Sequence, residues 1–88
     1  MPRWVNARDA NHSQITKALT VAGVDFIQLF DCDIAARHAN GFGMLLEVKV
    51  PGKEKQLKPK QIDLRRIFGD RFAIVSSPES ALRALGKI

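Results

Sequence analysis

"DIAARHANGFGMLLEVKV", residues 33–50, is the stretch on which the fold turns. Asn40-Gly41 is a strong signal for a tight hairpin turn. Residues around Asp33 to Arg37 and 43 to 50 then read as two antiparallel strands joined by that turn. Residues two apart on a strand share a face, so Glu47 and Lys49 project from one side while Leu46 and Val48 pack on the other. Asp33 and Glu47 are equidistant from Asn40. A hairpin symmetric about that residue therefore sets the two carboxylates opposite one another as cross-strand neighbours. Two acids and an ammonium at the end of an apolar strand are costly to bury unless something shares the site.

Working outward, Asn11-His12-Ser13 offers helix-capping side chains before Ile15, Ala18, Leu19 and Ala22 on one helical face. Residues 1–10 are expected to form an irregular arm, and 11–88 a single domain. "VDFIQLF", residues 24–30, is rich in β-branched and aromatic residues and reads as a strand. Residues 51–58 lack apolar periodicity and form a loop. Pro59 suits the first turn of a helix whose apolar content is Ile62, Leu64, Ile67 and Phe68, and Gly69 closes it. "RFAIVSS" is a further strand, and Pro78-Glu79-Ser80 opens a last helix with Ala81, Leu82 and Leu85 as its stripe. The expected order is αβββαβα, an α/β fold.

Composition narrows the class of function. The chain has 88 residues, one cysteine and a formal net charge of +5. No apolar run approaches the roughly 20 residues of a membrane-spanning helix. The polar start "MPRWVNARDANHSQ" does not resemble a signal peptide. A lone Cys32 excludes an intramolecular disulfide and a multi-cysteine zinc site, and points to a reducing cytoplasm. Lys49, Lys53, Lys55, Lys58, Lys60, Arg65 and Arg66 fall within residues 49–66. Such clustering fits a polyanionic partner, nucleic acid first among them.

The acidic pair supplies the chemistry. Asp33, Glu47 and the backbone carbonyl of Val48 form the hard-oxygen set that Mg²⁺ or Mn²⁺ prefers. Such an ion would polarise a phosphodiester and activate water. Lys49 beside it would orient or deprotonate that water, or stabilise transition-state charge. The remaining polar residues read more simply. Gln61 would orient water or Lys49, or serve as a polar first-turn residue. His12 lies near a helix start, and His38 is an exposed hairpin residue. Lys53, Lys55, Lys58, Lys60 and Arg65 would contact the DNA backbone without regard to sequence. Trp4 would anchor the arm to a partner subunit or cover the core.

"CDIAARHANGFGMLLEVKVPGKEKQLKPKQ", residues 32–61, resembles the core of the virus-type replication-repair (VRR) nucleases, a branch of the PD-(D/E)xK superfamily. The motif positions correspond to Asp33, Glu47-Val48-Lys49 and Leu57-Lys58-Pro59-Lys60-Gln61, and "FAIVSSPESALRALG" resembles the closing strand and helix. The resemblance spans about residues 11 to 86. It implies a restriction-endonuclease-like core, with a mixed central sheet flanked by helices. It further implies a Mg²⁺- or Mn²⁺-dependent endonuclease acting on branched DNA such as Holliday junctions, as a homodimer in a bacterial or phage-infected cell. Cys32 stands where the family has Pro. Gln14 is nearest to a Glu often found on the first helix, and Asp31 is a second acid two residues before Asp33. The alternative is a non-catalytic DNA-binding module carrying a degraded site.

Overall fold

The structure, a computed structural model, describes the backbone of residues 7–29 and 33–88 and the side chains of 11–29 and 33–88. Three helices and four strands follow one another as α1 (Ala7–Val21), β1 (Phe26–Gln28), β2 (Ile34–Arg37), β3 (Gly43–Val48), α2 (Pro59–Phe68), β4 (Phe72–Val75) and α3 (Pro78–Ala84). A short 3₁₀ turn, Gly69–Arg71, links α2 to β4. The strands form one mixed sheet in the order β1-β2-β3-β4. The first three run antiparallel, and β4 joins β3 in parallel. The fold is therefore α/β, and the element order is the one expected from the sequence.

Register explains where the core lies. Ile34 pairs with Leu46 and Ala36 with Met44, while Val48 pairs with Val75 across the parallel ladder. These six side chains share one sheet face and all are buried. Ile15 and Leu19 from α1 and Ala81 and Leu85 from α3 close over them to complete the main cluster. Burying each large aliphatic side chain of this set stabilises the fold by about 1.5–3 kcal/mol. The opposite face carries Leu45, Glu47, Phe72 and Ile74. Phe72 is buried there, outside the main cluster.

Several elements differ from the sequence expectation. Helix α1 begins at Ala7, so residues 7–10 are helical and do not belong to an irregular arm. Asn11 is consequently a buried interior residue and caps nothing, and His12 lies well inside the helix, not at its start. Strand β1 is confined to Phe26–Gln28, and β2 starts at Ile34, one residue after Asp33. Helix α2 buries only Gln61 and half-buries Leu64, whereas Ile62, Ile67 and Phe68 are exposed. The helix lies against β4 and the 3₁₀ turn at one flank of the sheet. A single narrow contact at that flank leaves the rest of its circumference in solvent.

The hairpin tip is docked more firmly than a solvent-exposed turn would be. His38 is half-buried, with its ring stacked on Phe42 at 4.2 Å between centroids, so it is not an exposed hairpin residue. Arg71 lies over the same Phe42 ring at 4.9 Å. The N–H of Ala39 donates to the Leu85 carbonyl at the end of α3 (2.8 Å). Gly86 follows with φ of 73°, and a Cβ there would come within 2.7 Å of the His38 ring. Among the described residues no helix is long and apolar enough to cross a membrane.

Candidate active site and nucleic-acid interface

Asp33 lies one residue beyond the last paired residue of β2, Ile34. The ladder Ile34↔Leu46, continued by one pair, would set it opposite Glu47. The half-buried Asp33 accepts the Val48 N–H on Oδ2 at 3.0 Å. A residue in an antiparallel ladder directs its N–H and C=O to the same side. The carbonyl of Val48 therefore also turns toward β2, the side on which Asp33 sits. The backbone of Asp33 is held from the other direction, its carbonyl accepting the Leu29 N–H at 3.1 Å. Glu47 is 2% exposed. A carboxylate so deep is sustained only where neighbouring groups or an ion offset its loss of water.

Lys49 follows β3 directly and is half-buried. Its N–H extends the parallel ladder by donating to the Val75 carbonyl at 2.9 Å. Its carbonyl accepts Nδ2 of Asn11 at 2.8 Å, a bond that reaches from the interior of α1 to the end of the strand. Asn11 is 7% exposed and therefore makes this contact in a nearly dry environment. Sequence reading took Asn11 for a cap and missed this role. The signal was present, because Asn11, Ile15 and Leu19 stand at i, i+4 and i+8 on the buried stripe. Gln14, the expected α1 candidate, is exposed and lies off that stripe. Asp31 lies outside the described residues, as do Cys32 and Trp4.

Gln61 is 7% exposed, and its Oε1 accepts the Lys58 N–H at 2.9 Å at the head of α2. In return its own N–H donates to the Lys58 carbonyl at 2.9 Å. The side-chain carbonyl thus caps the helix, which leaves only the amide nitrogen for the orienting role expected of this residue. Arg65, one turn further along, is exposed. Among the described residues no three or more His, Cys, Asp or Glu side chains converge on one point. Any divalent ion held by Asp33 and Glu47 would need the Val48 carbonyl and solvent to complete its oxygen shell.

Residues 50–57 form an ordered double turn. Lys53 N–H donates to the Val50 carbonyl at 2.9 Å, and Gln56 N–H to the Lys53 carbonyl at 3.1 Å. Pro51 presets φ for the first turn, and Gly52 takes the positive φ of 92° that the next position requires. Lys53, Lys55, Lys58 and Lys60 are all exposed along this path and the start of α2. Between the first two of these lysines lies Glu54, whose Oε1 accepts the Gly52 N–H at 2.8 Å. Its carboxyl is held below the ordinary carboxylate range, chiefly by its own backbone N–H, then by the Ser76 hydroxyl, with the Gly52 N–H adding to the effect.

No protein family, curated protein or solved structure matches this chain.

Proposed function

We propose that this protein is a Mg²⁺- or Mn²⁺-dependent endonuclease with a restriction-endonuclease-like core, cutting branched DNA such as a four-way junction as a homodimer. The observation that supports the reading is the Asp33 carboxylate bonded to the Val48 N–H, between the buried Glu47 and Lys49 in sequence. The donor set suits the ion: two carboxylates and a backbone carbonyl are hard oxygen ligands. When bound, such an ion supplies positive charge to a phosphodiester oxygen and lowers the pKa of an attacking water.

The protein's own groups supply the remainder. Asp33 and Glu47 furnish negative charge at a depth where water screens it poorly. Lys49 presents an ammonium for the charge that develops on the phosphoryl oxygens, or for holding the water in line. The amide nitrogen of Gln61 orients water. Lys53, Lys55, Lys58, Lys60 and Arg65 meet the DNA backbone through long-range, salt-sensitive attraction. A two-fold dimer places one site on each of two strands in a symmetric junction.

Cleavage of a labelled four-way junction by the purified protein, with and without Mn²⁺, tests the reading. Metal-dependent cutting is expected, abolished in Lys49→Ala with junction binding retained. The absence of a third acidic side chain beside the pair, among the described residues, favours one alternative. On that reading the domain binds DNA without cutting it, and binding with no cleavage in any divalent ion would replace the enzymatic assignment.

A further inference from the structure

Glu54 has no place in the chemistry proposed above, yet it is the most heavily engaged side chain of the basic loop. The loop puts Lys53 and Lys55 on either side of it, and Lys58 and Lys60 a few residues on. Four like charges so close repel one another, and an untethered loop would spread to separate them. Instead the double turn is closed through Glu54, which accepts the Gly52 N–H inside the first turn. The Ser76 hydroxyl nearby also favours the ionised carboxylate. Ser76 follows β4 and sits beside Lys49 when the Val48↔Val75 register is continued. The N–H of Ser76 donates to Oγ of Ser80 at 3.0 Å, within the hydroxyl network that caps α3. The turn that Glu54 closes thus belongs to a loop leaving β3 just past the candidate site, with Ser76 at the exit of β4 nearby.

We propose that Glu54 is a positioning residue that holds the lysine loop in one arrangement for a nucleic-acid phosphate backbone. The inference deepens the nucleic-acid reading and rests on it. Its content is that an acidic residue strengthens binding to a polyanion. Two effects therefore oppose each other at this position. Counted as charge alone, Glu54 repels phosphate, and its removal raises the net charge above +5 and tightens binding. Counted as a tether, it spares the complex the entropy of ordering a loop on contact, and its removal weakens binding. A charge-assisted hydrogen bond outweighs the repulsion from one charge that salt screens. The tether wins.

The test is titration of a fluorescein-labelled four-way junction in EDTA, which prevents cutting, across a range of salt concentrations. Native protein, Glu54→Gln and Ser76→Ala are compared, with amide hydrogen exchange followed at Gly52 and Lys53. Glu54→Gln is expected to bind about tenfold more weakly than native despite its added positive charge. Ser76→Ala, which leaves the charge unchanged, should shift affinity in the same direction, and the Gly52 amide should exchange faster in Glu54→Gln. Both positions are only half-buried and lie outside the core cluster, and thermal melts of the two variants verify that they are folded. Unchanged or tighter binding by Glu54→Gln, or an undisturbed Gly52 amide, overturns the positioning role while leaving the nucleic-acid reading intact. Failure of the native protein to bind the junction even at low salt overturns both.

Discussion

At the scale of single residues, the proposed nuclease reading rests on the end of β3. Lys49→Ala removes an ammonium from beside the acidic pair, and cleavage is expected to fall by about a hundredfold or more while junction affinity stays near native. Asn11 acts on the same residue by a different route, through the main chain. Asn11→Ala leaves the Lys49 carbonyl without its donor in a nearly dry setting, a loss of about 1–3 kcal/mol. Urea denaturation reads that loss as a lower midpoint with an unchanged slope. Asn11→Asp is the sharper variant, because an ionised carboxylate turns acceptor against acceptor. It should destabilise more than Ala at neutral pH and recover part of the difference on acidification.

At the scale of elements, the hairpin and the helix ends set the frame around the site. The β2–β3 turn is pinned by the Ala39–Leu85 backbone bond and by the packing of Gly86 against His38. Gly86→Ala meets two obstacles at once: a left-handed backbone and a Cβ about to overlap the imidazole. The left-handed conformation alone costs about 1–2 kcal/mol, so a fall in melting temperature of roughly 4–16 °C is expected from calorimetry. Within the sheet, Leu46 lies fully buried between the two acids' neighbours and the α1–α3 layer. Leu46→Ala should cost about 2–5 kcal/mol and register as a lower urea midpoint, with the cavity unfilled. Helix α2 tolerates more. Exposed Ile62 and Ile67 contribute little to the core, and polar replacements there should leave the melting temperature within a degree or two.

At the scale of the whole molecule, charge governs association and pH governs the loop. With a net charge of +5, the junction binding we propose should weaken steeply with added salt, and the slope of log affinity against log salt reports how many phosphates are neutralised. Glu54 adds a pH dependence whose sign follows from its lowered folded pKa. Its ionised form is favoured in the native state, so its support is complete above the unfolded carboxylate value and is lost as pH falls through the lower folded value. Amide exchange at Gly52 should therefore accelerate on acidification through that window. Glu54→Gln, which has no carboxyl to titrate, should remove that part of the acceleration.

How far the sequence could be read depends on the range of the interactions involved. The hairpin, the symmetric relation of Asp33 to Glu47, the opening of α2 at Pro59 and the buried stripes of α1 and α3 are local patterns. Turn chemistry and side-chain periodicity express them within a few residues. By itself the sequence determined the element order, the α/β class and the exposed lysines of the basic loop. Three features needed the folded chain. Asn11 became a donor to Lys49 only once α1 packed across the end of β3, and Gln61 became buried only once α2 lay against β4. Glu54 came within the influence of the Ser76 hydroxyl only once the loop lay beside the end of β4. Each joins elements distant in sequence, and no local preference encodes such a contact. Tertiary packing alone decides which polar side chains leave water and which partner each then finds.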